Sequence, residues 1–238
     1  MTVQLFIPCF VDQLYPETAF NMVKVLEKAG VQVTYNEEQT CCGQPAFNAG
    51  FREEAREVCT KFLRDFSGHD YVVAPSASCV GFVRNYYGTL FNNSSLHNEV
   101  RDMQKRIFEF SSFLVNVLGV TDLGATLHGK ATYHDSCAGL RECRIKEEPR
   151  KLLSRVKGLE LLEMNDVDVC CGFGGSFAVK FESISIAMAD QKVNNALQTG
   201  ADYIISTDMS CLMHLDGYIR QKGHSIRTMH IADVLANF

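Results

Sequence analysis

Two short stretches set a pair of neighbouring cysteines against a glycine: Cys41-Cys42-Gly43 in QTCCGQPAF and Cys170-Cys171-Gly172 in DVCCGFGGSF. A disulfide between sequence neighbours is strained and departs from the usual Cα separation of the bond, so these pairs read as free thiols. The chain holds ten cysteines in 238 residues. Its start, MTVQLFIPCFVDQLYPE, lacks the cationic residues and the long apolar run of an export signal. Reduced thiols serving metal or redox chemistry in the cytoplasm are therefore expected, rather than a disulfide framework.

The spacing around the pairs repeats. Cys9 precedes Cys41-Cys42-Gly43 by 31 residues, and Cys79 follows after 35; Cys137 precedes Cys170-Cys171-Gly172 by 32, and Cys211 follows after 38. The frames agree as well: LFIPCF with ATYHDSC, YVVAPSASC with YIISTDMSC, and IFEFSSFLVN with TMHIADVLAN. The chain reads as a tandem duplication with halves at 1–120 and 121–238.

These cysteines need elements to position them. Each half alternates short apolar strands with amphipathic helices, the pattern of an α/β fold in which two pseudo-symmetric repeats each build a small parallel sheet flanked by helices. The first half predicts strands at 3–8, 31–35 and 71–75, and the second at 131–136, 159–164, 202–206 and 225–230. A helix opens at Pro16 and stops at Gly30, with Phe20, Val23, Leu26 and, less regularly, Val25 on its apolar side. Another covers FREEAREVCTKFLRDF, and the polar stretch 91–106 reads as an exposed connection into a helix. On this frame every repeated cysteine follows a strand at the carboxyl edge of a parallel sheet, where such sheets build ligand sites. Four thiols converge per half: Cys9, Cys41, Cys42 and Cys79, then Cys137, Cys170, Cys171 and Cys211.

Four soft thiolates bind zinc or an iron–sulfur cluster. No Cys-x-x-Cys knuckle of the usual structural zinc site occurs, and adjacent cysteines suit two irons of one cluster, which favours iron and sulfide. Gly43, Gly172, Gly174 and Gly175 let backbone amides approach sulfur. The duplicated motif resembles the cysteine-rich CCG domain found in heterodisulfide reductase, in the iron–sulfur protein of glycolate oxidase and in anaerobic glycerol-3-phosphate dehydrogenase. A short chain made almost wholly of two such units is most similar to the lactate-utilisation protein A family. That resemblance implies a [4Fe–4S]-type iron–sulfur subunit of a cytoplasmic L-lactate-oxidising system, working with a ferredoxin-like iron–sulfur protein and a third subunit. In heterodisulfide reductase a fifth cysteine closes the motif as Cys-x-x-Cys. Here that place is Phe82 in CVGF and His214 in CLMH, so the five-cysteine non-cubane cluster is not expected, and His214 becomes a candidate ligand of the second site.

The other candidates have plainer alternatives. Cys59 and Cys143 read as packing residues. His134 either orients a ligand through a second bond or is a core histidine bonded to backbone. Arg141, Arg144 and Lys146 either attract an organic carboxylate or line a solvated loop. CGFGGSF lacks the G-x-G-x-x-G spacing of a dinucleotide loop. A net charge of −5 excludes a basic nucleic-acid footprint, and IFEFSSFLVNVLGV, broken by Glu109, Ser111, Ser112 and Asn116, is no membrane span. Two rival functions remain: an assembly scaffold with zinc or no metal, and a metal-free thiol–disulfide enzyme.

Overall fold

The computed structural model describes residues 1–238. The first half runs β1 (Thr2–Leu5), α1 (Cys9–Leu14), α2 (Pro16–Lys28), β2 (Gln32–Tyr35), α3 (Gln44–Ala49), α4 (Arg52–Asp65), β3 (Tyr71–Ala74), α5 (Ala77–Leu90), α6 (His97–Arg106), β4 (Ile107–Glu109) and α7 (Phe110–Ser112), which continues into a π-helical turn over Phe113–Val117. The second runs β5 (Thr126–Tyr133), a π-helical segment Ala138–Cys143, α8 (Glu147–Leu153), β6 (Lys157–Leu162), α9 (Ser176–Lys180), α10 (Glu182–Gln198), β7 (Tyr203–Ser206), α11 (Met209–Lys222), β8 (Arg227–His230) and α12 (Ile231–Leu235). No helix is long and apolar enough to cross a membrane.

Each half builds one four-stranded sheet, ordered β2-β1-β3-β4 and β6-β5-β7-β8. All pairings are parallel and the registers correspond: Val3 pairs Val33 and Tyr71, and Ala131 pairs Leu161 and Tyr203. The expected α/β repeat of two small parallel sheets is thus what the chain forms. In this order the connections from the first strand leave in opposite directions, opening a crevice at the carboxyl ends of the sheet.

Three local expectations change. Strand β1 stops at Leu5 because the Gln39 side chain takes over its edge, accepting from Ile7 N at 2.7 Å and donating to Leu5 O at 3.1 Å. Helix α2 buries Thr18, Met22, Val25 and Leu26, an i, i+4, i+7, i+8 stripe, and leaves Phe20 61 % exposed. Strand β4, unforeseen, pairs with β3 through Val72↔Ile107 and completes the first sheet.

The hydrophobic core does not follow the repeat. Alternate residues of β3 face opposite sides. Val73 joins a 39-residue core shared with Ala131, Tyr133, Ile204 and Leu212 of the second half. Val72 and Ala74 join a 21-residue core around Phe62, Phe66 and Tyr87 that also takes in Ala138 and Cys143. Polar contacts follow the same seam: Asp233 of α12 accepts from Thr18 Oγ1 (3.1 Å) and Asn21 Nδ2 (3.0 Å) of α2, and Tyr86 of α5 donates to Glu142 Oε1 at 3.0 Å.

Candidate metal centre

The sheet edge delivers the thiols as the repeat requires. Cys9 and Cys137 stand just beyond β1 and β5, the vicinal pairs lie in loops beyond β2 and β6, and Cys79 and Cys211 sit in the first turns of α5 and α11. Those first turns set the positive end of the helix dipole beside the sulfur. All ten cysteines are free. Within the first set, hydrogen bonds from Cys42 and Cys9 hold the Cys41 thiol well below its ordinary range, and the Gly43 amide adds a bond to its Sγ at 3.4 Å. In the second, Cys137 and Cys171 do the same for Cys170, with the Gly172 amide at 3.4 Å. The bonds to Cys41 and Cys170, with burial behind them, hold the Cys9 and Cys137 thiols above their usual range.

The two glycines are required. Gly43 has φ +90° and Gly172 φ +93°, and a Cβ at Gly172 would stand 2.6 Å from Ser185 O. These two amides are the glycine donors to sulfur; Gly174 and Gly175, expected to share that role, line the cavity instead.

Both sets open onto one cavity of about 730 Å³ between the repeats, lined by all eight repeated cysteines. Phe10 of the first half meets Phe173 of the second edge-on at 5.8 Å. Of the three basic candidates, Arg141 lines the cavity, and Arg144 and Lys146 do not. At the seam Ser76 and Asp208, equivalent positions of the two repeats, form an antiparallel bridge, as a two-fold relation between repeats produces. Ser76 caps its own helix, accepting from Cys79 N at 3.4 Å. Asp208 reaches across instead: its carboxylate accepts from Ser78 N at 2.8 Å and Ser78 Oγ at 3.2 Å, besides Ser210 Oγ at 2.8 Å. Sequence reasoning missed this residue, although the alignment of YVVAPSASC with YIISTDMSC places an acid opposite a serine.

The two histidines stand in different surroundings. His214 shares a 3.2 Å hydrogen bond with Ser185 Oγ, lies against Phe173 and lines a separate pocket of about 300 Å³. The structure does not bring it into a group with the thiols. His134 is fully buried, neither ring nitrogen has a hydrogen-bond partner, and it lies with the thiols of Cys171 and Cys211 so that the ligand atoms are all within 4.8 Å of one another. Cys59 packs as expected, its thiol donating to Cys42 O at 3.5 Å, and Cys143 donates to Ala77 O at 3.3 Å away from the cavity lining.

These residues fit a thiolate-bound metal group: two sets of four free thiols, amide donors aimed at sulfur, and a buried imidazole with no other partner. Similarity to known proteins agrees at the level of class. A family model described as a cysteine-rich domain matches residues 3–84 and again 131–216, which makes this a tandem cysteine-rich-domain protein. The chain is 43% identical over 235 residues to lactate utilization protein A of Geobacillus kaustophilus, covering 99% of this chain and 98% of that one. It is 42% identical over 237 residues to lactate utilization protein A 2 of Bacillus cereus strain 03BB102, at the same coverage. The chain belongs to the lactate utilization protein A family. A crystal structure of a hypothetical protein from Helicobacter pylori superposes with a TM-score of 0.58 at 10% identity over 98% of this chain and 48% of its own, a likeness of fold alone.

Proposed function

We propose that the protein is an iron–sulfur redox subunit of a cytoplasmic L-lactate-oxidising system. It exchanges electrons with a ferredoxin-like iron–sulfur partner and works beside a third subunit. The observation that carries the reading is the convergence of eight free thiols, in two sets of four, on one cavity. Cys9, Cys41, Cys42 and Cys79 would hold one group and Cys137, Cys170, Cys171 and Cys211 the other, with [4Fe–4S] the proposed type among those that four thiolates hold. Such a cluster supplies reversible one-electron uptake and release. The chain's own residues do the rest. The Gly43 and Gly172 amides donate to Cys41 and Cys170 and so stabilise negative charge on sulfur. The first turns of α5 and α11 add their dipoles behind Cys79 and Cys211. Apolar walls from Phe10, Phe82 and Phe173 thin the water around the thiols.

Iron, zinc and sulfide content with EPR on protein purified anaerobically tests the reading. About four irons and four sulfides per occupied half are expected. Cys41→Ser and Cys170→Ser should each remove the group of their own half. Unchanged iron in both variants refutes the assignment. Stoichiometric zinc with a silent spectrum makes the protein a scaffold. No metal, with thiol titration changing by two per cycle, makes it a dithiol enzyme.

A further inference from the structure

The two repeats differ behind their thiols. Phe6 follows β1 and its N–H donates to Val73 O at 3.0 Å; His134 follows β5 and its N–H donates to Ile205 O at 2.8 Å, so the two are equivalent. A Cβ at Gly43 would meet Ala55 and Val58, and one at Gly172 would meet Ser185 and Met188, which sets α4 and α10 in register. In that register Phe62 corresponds to Lys192. Phe82 and His214, each three residues beyond the last repeated cysteine, are the third pair. The first site is thus backed by an aromatic cluster, with Phe6 edge-on to Phe62 at 4.9 Å and to Phe66 at 5.6 Å. The second has His134 and Lys192 in those places, while His214 turns aside to Ser185.

Lys192 is fully buried, and its ammonium donates to Asp166 O at 2.5 Å and Val167 O at 3.2 Å. His134 has no such partners. An imidazole buried with both nitrogens unpaired forfeits the hydrogen bonds it made to water, so a fold that keeps it there implies an occupant for one of them. The thiols of Cys171 and Cys211 stand where they can share an occupant with it, the three ligand atoms lying within 4.8 Å of one another.

We propose that His134 is a ligand of the second centre, its ring nitrogen taking the place on one iron that Cys171 or Cys211 beside it would otherwise fill, while the first centre is held by thiolates alone. This rests on the reading that the thiols hold an iron–sulfur group. A nitrogen donor and a buried cation beside one centre raise its reduction potential relative to the other, since histidine donates less charge than thiolate. The second centre is then reduced before the first.

The test uses the full chain carrying Cys41→Ser, purified and reduced anaerobically, so that the signal comes from the second centre. Pulsed EPR with natural-abundance and 15N-histidine protein should show the coupling of a directly bound nitrogen. Replacing His134 by Phe, the residue of the first repeat, should abolish that coupling; replacing His214 by Phe should leave it. An iron–sulfur signal without nitrogen coupling overturns the proposal, and so does coupling that survives in His134→Phe or disappears in His214→Phe. Loss of all signal from the Cys41→Ser protein, with iron retained in the wild type, shows the second centre vacant and overturns it too. Wild-type protein that binds no iron and sulfide fails the underlying reading itself, and metal analysis separates that result from the others. The 15N comparison needs no His134 variant, so misfolding of that variant leaves the test decisive.

Discussion

Replacing the loop glycines by alanine should damage the two sites unequally. Both take positive φ, +90° at Gly43 and +93° at Gly172, so both variants share a left-handed penalty of about 1–2 kcal/mol. The surroundings differ. A Cβ at Gly172 falls 2.6 Å from Ser185 O and 2.8 Å from Met188 Cβ, atoms of α10 that cannot yield without moving the helix. At Gly43 the nearest atom is Cys59 Sγ at 3.0 Å, a side chain that can turn, with Ala55 O at 3.2 Å. Overpacking of the rigid kind costs about 1–3 kcal/mol, which gives about 2–5 kcal/mol for Gly172→Ala and nearer 1–3 for Gly43→Ala. Urea unfolding of the metal-free protein reads the difference: with a slope near 3 kcal/mol/M, a gap of about 2 kcal/mol separates the midpoints by about 0.7 M. Adding Cys59→Ala should partly relieve Gly43→Ala, with a coupling of about 0.5–3 kcal/mol, because Sγ is the clashing atom. Equal midpoints, or no coupling with Cys59, would refute the steric argument.

Three further outcomes follow from the seam and the core. Asp208→Ala should destabilise by about 1–3 kcal/mol, because the Ser78 amide and hydroxyl lose a buried acceptor; an unfolding midpoint equal to wild type would sink the cross-repeat cap. Burial raises the Glu109 carboxyl above its ordinary 4.5, so its contribution to stability is complete below that pH and is lost as pH rises through the folded value. Glu109→Gln should flatten this decline in a pH series of unfolding curves, and parallel curves would contradict it. Residues 1–120 alone should not fold cooperatively, because Val3, Leu5, Val25, Leu26 and Val73 lose the partners they share a core with. Each such burial is worth about 1.5–3 kcal/mol against about 5–15 kcal/mol for a whole domain. Circular dichroism and NMR dispersion decide, and a sharp thermal transition would disprove it.

The duplication, the eight repeated cysteines and the alternation of strand and helix were legible in the chain itself. Strand and helix periods are local properties, and a repeated spacing on a repeated β/α frame returns each cysteine to the same edge of its sheet. The two glycines were legible for a similar reason, since Cys-Cys-Gly names both the thiols and the residue able to take positive φ beside them. Other features depended on packing between elements far apart. Nothing local distinguishes Phe20, which faces outward, from Met22, which faces the core; the position of α12 decides that, because α2 packs on it. His214 stood at the more suggestive spacing, yet Ser185 of α10 engages it, while His134 lies at the end of β5 beneath Cys171 and Cys211. Asp208 and the common cavity exist only because the two repeats meet across the Ser76–Asp208 bridge. The sequence determined by itself what each repeat is and which thiols it gathers, because those follow from short-range geometry. The tertiary structure alone decided that the two thiol sets share one chamber and that their back walls differ, because those depend on which faces of distant elements are buried against each other.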